Sequence, residues 1–140
     1  MTKNIALVVN ELTADYTQEI ITSISDFYRG KDVSLIISQV KLPVHKDTDF
    51  DYQYWSNMSL LDNDNIDAYI ILSAIFCSYM TSDELTKRLQ PFIKKPVFSV
   101  SIPLKLDNCY YTQLNCENSY FEIVEHLVKK HNRKRIAFAS

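Results

Sequence analysis

The stretch NIALVVN, Asn4–Asn10, decides the fold. Ile5–Val9 is short, largely β-branched and apolar at every position, the pattern of a strand covered on both faces within a parallel sheet. The same pattern returns at Val33–Ser38, Ala68–Leu72, Val97–Val100 and Ile136–Ala139. Helical periodicity fills the gaps. DYTQEIITSISDFYRG places Tyr16, Ile20, Ile21, Ile24, Phe27 and Tyr28 on one stripe, and Gly30 stops it. YQYWSNMSLLDN offers Tyr54, Trp55, Met58 and Leu61 at helical spacing. TSDELTKRLQPFIKK opens with Thr81 and Glu84, a capping box, and Pro91 bends or ends that helix. Tyr110–Leu114 suits a further strand, and NSYFEIVEHLVKK is amphipathic, with Phe121, Val124, Leu127 and Val128 turned inward. Strands alternating with helices build right-handed βαβ units, so the expected fold is α/β, a doubly wound, Rossmann-like parallel sheet.

Composition narrows the function classes. The 140 residues are 46% hydrophobic and 23% charged, ordinary globular usage for about one domain. Gly30 is the only glycine, which argues against every glycine-rich phosphate loop and leaves left-handed turns to Asn and Asp, as in the DNDN of Asp62–Asn65. The net charge of -2 offers no field for a phosphate backbone. KKHNRKR, Lys129–Arg135, is basic, and it reads as a helix end with solvated surface rather than a nucleic-acid patch. Cys77, Cys109 and Cys116 are an odd count without CxxC spacing, which suits free thiols in a reducing compartment. No secretory leader or membrane-length apolar run is present in the sequence, so a cytoplasmic protein with no membrane partner is expected.

In an open α/β sheet, ligands bind beyond the carboxyl ends of the strands. Those ends are Asn10–Tyr16, Ser38–Lys41, Ser73–Ser78, Ser101–Leu104 and Asn115–Asn118, a set of hydroxyls, amides and aromatics that includes Asn10, Asp15, Tyr16, Ser73, Ser101 and Asn115. It holds no catalytic histidine and no carboxylate pair. A dinucleotide fold wants GxGxxG where NELTADY stands. A flavodoxin wants a phosphate loop, and Thr13 with Thr17 is a thin version of one. A phospho-acceptor domain wants an Asp at the end of the third strand, which instead ends at Leu72-Ser73. His45, His126 and His131 read as surface or helix-end histidines, and Cys77 as a small buried hydrophobe. No enzyme activity, cofactor or metal is expected.

Four pieces in order carry a resemblance. NIALVVNELTADYTQEI is similar to the opening strand I-G-V-I-V-P-D-x-x-N-P-F-F of the lactose-repressor and ribose-binding-protein family, the type I periplasmic-binding-protein fold. NIDAYIILSA resembles its V-D-G-I-I-x-x-S strand, KPVFSVSIPL its P-V-V-x-I-D-R-P-L strand, and YFEIVEHLVKKHNRKRIAFAS its A-x-x-A-x-x-H-L-x-x-x-G-H-R-R-I-A-F element. The resemblance implies an N-terminal ligand-binding lobe over residues 1–117, with 118–140 as the start of a second lobe. It implies that Tyr16 packs an aromatic ring on the ligand and that Ser73 presents a cleft hydroxyl. Ser101-Ile102 stands where the family has Asp-Arg, and Leu114-Asn115-Cys116 where it has Val-Asp-Asn, so a typical sugar is not the expected ligand.

No helix-turn-helix precedes the first strand, and the chain stops inside what resembles the second lobe, so a truncated piece of a longer protein is expected. The helix from Asn118 and the strand at Ile136 would then lack their usual partners, which favours burial of this segment by another chain in a homodimer. The expected function is a ligand-sensing domain of a cytoplasmic signalling or transcription regulator. It would bind a small molecule between lobes, without touching nucleic acid directly. The alternatives are a dimerisation or interaction module without ligand, and a flavodoxin-like flavin-binding protein.

Overall fold

A run apolar at every position needs neighbouring strands on both sides and cover on both faces, and Ile5–Val9 has them. The computed structural model of the chain describes residues 2–40, 51–113 and 117–137. Strands β1 (Lys3–Val9), β2 (Val33–Gln39), β3 (Ala68–Ile71), β4 (Val97–Val100) and β5 (Cys109–Thr112) form one sheet in the order β2-β1-β3-β4-β5. All the pairings are parallel. Helix α1 (Asp15–Tyr28) packs Ile20, Ile21 and Ile24 on one face, against Leu7, Val9 and Leu72. On the other face, Met58 of α2 (Asp51–Ser59), Phe76 of α3 (Ser73–Cys77), and Leu85 and Leu89 of α4 (Ser82–Leu89) close over Ala6, Val8, Tyr69, Ile71 and Val97. The fold is therefore an α/β, doubly wound parallel sheet. A last helix, α5, spans Glu117–Lys129.

Local chemistry sets the boundaries. Gly30 takes φ +76° just past α1, where its missing Cβ makes the left-handed turn cheap. Thr81 Oγ1 accepts from Glu84 N–H at 3.2 Å while the Glu84 carboxylate accepts from Thr81 N–H at 2.9 Å, the reciprocal capping box expected at α4. These donors, the Thr81 backbone first and its hydroxyl next, hold the Glu84 carboxyl below its usual range. Helix α4 ends at Leu89; Gln90 keeps helical dihedrals (φ -50°, ψ -38°) with its N–H on the Thr86 carbonyl, and Pro91, which has no N–H, cannot continue the ladder. The start of β3 is tied to β1 by Asp67, which accepts from Lys3 Nζ and from Asn4 N–H, each at 2.8 Å.

Several expectations are corrected. The segment after β3 is the short helix α3, not a simple strand-end loop. Strand β5 runs Cys109–Thr112 rather than Tyr110–Leu114, and Leu114 lies outside the described residues. Asp62–Asn65 needs no left-handed residue, because Asn63 Oδ1 accepts from Asn65 N–H at 2.9 Å and closes an Asx turn. Asn108 and Asn132 are the asparagines with positive φ, 55° and 47°. Ile136 and Ala137 form no strand, and the remainder of Ile136–Ala139 lies outside the described residues. The apolar stripe of α5 does not face inward. Phe121, Val124 and Val128 are exposed and Leu127 is half-buried, since no element among the described residues covers that stripe. Tyr16 and Phe27 of α1 are also largely exposed.

Candidate functional site

Parallel strands bring all their carboxyl ends to one edge, and the chain reverses direction across the sheet between β1 and β3. Such a switch point leaves a crevice between loops that leave in opposite directions. Its β1 side is formed by Asn10 and the start of α1. Asn10 is half-buried, and its carbonyl accepts from Gln39 Nε2 of β2 at 3.3 Å. Asp15, the first residue of α1, is exposed. Tyr16 is 46% exposed while Thr17 is 0% exposed. Successive helical residues point about 100° apart, so turning Thr17 onto the sheet leaves the Tyr16 ring at the surface. Thr17 Oγ1 is buried without a hydrogen-bond partner. Thr13 Oγ1 donates to Glu11 Oε1 at 3.0 Å.

The β3 side has a different character. Ser73 is 0% exposed and its Oγ donates to the carbonyl of Val100 at 2.6 Å. The same oxygen accepts from Ile102 N–H at 3.2 Å. Ser99, also fully buried, donates to the carbonyl of Ile102 at 2.5 Å and stands 2.8 Å from Ser73 Oγ. The hydroxyl that the resemblance assigns to a ligand is thus engaged by backbone, and it welds the tips of β3 and β4 together. Ser101 sits at the bend after β4 with φ 77°, half-buried, held there by the two serines on either side of the loop.

Of the expected site residues, Asn10, Asp15, Tyr16, Ser73 and Ser101 share this edge, and Asn115 lies outside the described residues. Ser101, just past the end of β4, is separated from the β1 group by the width of β3, roughly 10 Å for two strand spacings. Cys77 is half-buried, and burial pushes its thiol up, away from the reactive thiolate. His126 and His131 meet each other, Nε2 to Nε2 at 3.0 Å, on and just after α5. Among the described residues no cluster of His, Cys, Asp and Glu could hold a metal ion. Nor is any described helix long and apolar enough to cross a membrane.

The strand ends did not single out Ser99, yet a serine inside a buried strand run is itself a sign of an internal hydrogen-bond partner. They also missed an apolar hollow of about 470 Å³ away from this edge, between α1 and strands β3 to β5, lined by Ile24, Phe27, Ile70, Phe98 and Tyr110. Alternation along β4 and β5 puts Phe98 and Tyr110 on the α1 face, a signal legible in the residues themselves.

The chain matches no protein-family model, no curated protein and no solved structure.

Proposed function

We propose that this chain is a ligand-sensing lobe of a signalling or transcription regulator, taking a small molecule at the carboxyl edge of its sheet. The observation that carries this is the half-exposed Tyr16 ring beside the β1/β3 switch point. A flat ring at such a crevice offers stacking area, and Asn10 and Asp15 supply polar partners next to it. Ser101 completes the β4 side with a short hydroxyl. In the sensing role a second lobe closes over the ligand, and closure biases an attached effector, a DNA-binding unit or a signalling enzyme such as a diguanylate cyclase.

The chemistry favours an uncharged or cationic ligand with a planar apolar part. Glu11 and Asp15 place carboxylates beside the start of α1, where a phosphate would otherwise be welcome. Flavodoxins share this strand order and bind their flavin phosphate at the same switch point. Those two carboxylates weigh against that alternative.

The test is a thermal-shift screen of the whole chain against neutral sugars, nucleosides and aromatic metabolites, with titration calorimetry of any hit. A compound that raises the melting temperature of the wild type but not of Tyr16→Ala supports the assignment. A hit bound equally by Tyr16→Ala, or a screen in which only free flavin mononucleotide binds, overturns it.

A further inference from the structure

Two apolar surfaces stand exposed among the described residues, a hollow on the sheet and a stripe on a helix. Parallel register sets Leu7, Ile70, Phe98 and Tyr110 in one row across β1, β3, β4 and β5 on the α1 face. Helix α1 covers the β1 end of that row, where Leu7 is 0% exposed. Cover then falls away, to 39% exposure at Phe98 and 67% at Tyr110. The open part, flanked by Ile24 and Phe27 of α1, is the 470 Å³ hollow. It spans two strand spacings, roughly 10 Å, the width of a single helix.

The second surface is α5. Phe121, Val124, Leu127 and Val128 recur at helical spacing along one stripe, and no residue of the helix is fully buried. Phe121 is 67% exposed. Glu122, Glu125 and Lys129 occupy the other side, with Lys129 paired to Glu125. At the amino ends of the strands the rim of the hollow carries both signs of charge, with Lys31 Nζ 3.4 Å over the Phe27 ring and Asp67 paired to Lys3.

We propose that α5 of one copy lies in the hollow of a second copy, and the reverse, in a two-fold exchanged dimer. A one-helix groove and an uncovered amphipathic helix on the same chain are both satisfied when two copies pair reciprocally, because every contact is then made twice. Two such helix-in-groove contacts bury on the order of 1,500 Å², the range of stable specific interfaces. The pairing surface is distinct from the carboxyl edge, so it stands or falls apart from ligand binding.

Light scattering of the purified chain over a dilution series tests it, together with Phe121→Glu and a Phe98→Cys/Val124→Cys chain whose native cysteines are replaced by serine. The expected results are a dimeric wild type, a monomeric Phe121→Glu with unchanged circular dichroism, and an oxidised double-cysteine chain that runs at twice its mass without reductant. A monomeric wild type, a dimer untouched by Phe121→Glu, or a cross-link closed within one chain overturns the proposal. The last result would show α5 folding onto its own sheet.

Discussion

Ser73 Oγ lies 2.6 Å from the carbonyl oxygen of Val100, so a side chain at the start of α3 fastens the end of the neighbouring strand. In Ser73→Ala the Val100 carbonyl and the Ile102 N–H lose that partner in a largely dry place, at a cost of about 1–3 kcal/mol. Thermal melting should show a fall of several degrees. Ser99→Ala added to it should lower stability by less than the sum of the two single effects, since both serines serve one network. An unchanged melting temperature for Ser73→Ala would mean that these bonds contribute nothing net.

Ser101 adopts φ 77°, a region that opposes a Cβ by about 1–2 kcal/mol. Glycine removes that strain but adds about 0.4–1 kcal/mol of chain entropy to the unfolded state. Ser101→Gly should therefore stabilise the fold slightly, and Ser101→Val, branched at Cβ, should destabilise it clearly. Urea denaturation midpoints in the reverse order would refute the assigned backbone strain.

Two carboxyls make acid stability predictable in sign. The Lys3 ammonium, donating at 2.8 Å, and next the Asn4 N–H hold Asp67 below its usual range, and the Thr81 backbone and hydroxyl do the same for Glu84. A carboxyl lowered on folding contributes stability that is whole above its unfolded value, and the contribution is lost as pH falls through the folded value. Denaturation midpoints should thus be flat above about pH 5 and drop progressively below about pH 4. Asp67→Asn should be less stable at neutral pH and show a shallower acid decline; an identical pH profile would remove Asp67 from the account.

Thr81→Ala deletes the acceptor of the α4 cap and should cost about 0.5–2 kcal/mol. Hydrogen exchange of the first-turn amides of α4 should speed up while β1 amides keep their protection. Uniform loss across the chain would instead show that α4 opens only with global unfolding.

Tyr16→Ala separates binding from folding. The ring is 46% exposed, so its removal should leave the melting temperature of the free chain nearly unchanged while weakening any ligand found by the screen at least tenfold. A large loss of stability in the free chain would instead make Tyr16 a packing residue.

Much of this architecture was legible in the residues. Ile5–Val9, Ala68–Ile71 and Val97–Val100 announced a buried parallel sheet because apolar side chains at both parities need two covered faces. Thr81 with Glu84 marked a helix start and Gly30 a helix end, since caps are local chemistry. The candidate edge was legible too, as all strands run one way. Helix α3 was not, because five residues carry too little periodicity to register.

The sequence alone therefore determined strands β1 to β5 and helices α1, α2, α4 and α5, and that the strands form a parallel sheet, through periodicities that depend only on neighbours along the chain; it missed α3 and offered a strand at Ile136 that Ile136 and Ala137 do not form. Only the tertiary structure decided that Ser73 meets the Val100 carbonyl rather than solvent, and that Phe121, Val124 and Val128 of the α5 stripe stand exposed. Both depend on where residues distant in sequence come to rest. A hydroxyl or an apolar stripe encodes the need for a partner, whereas the identity of that partner is set by the packing.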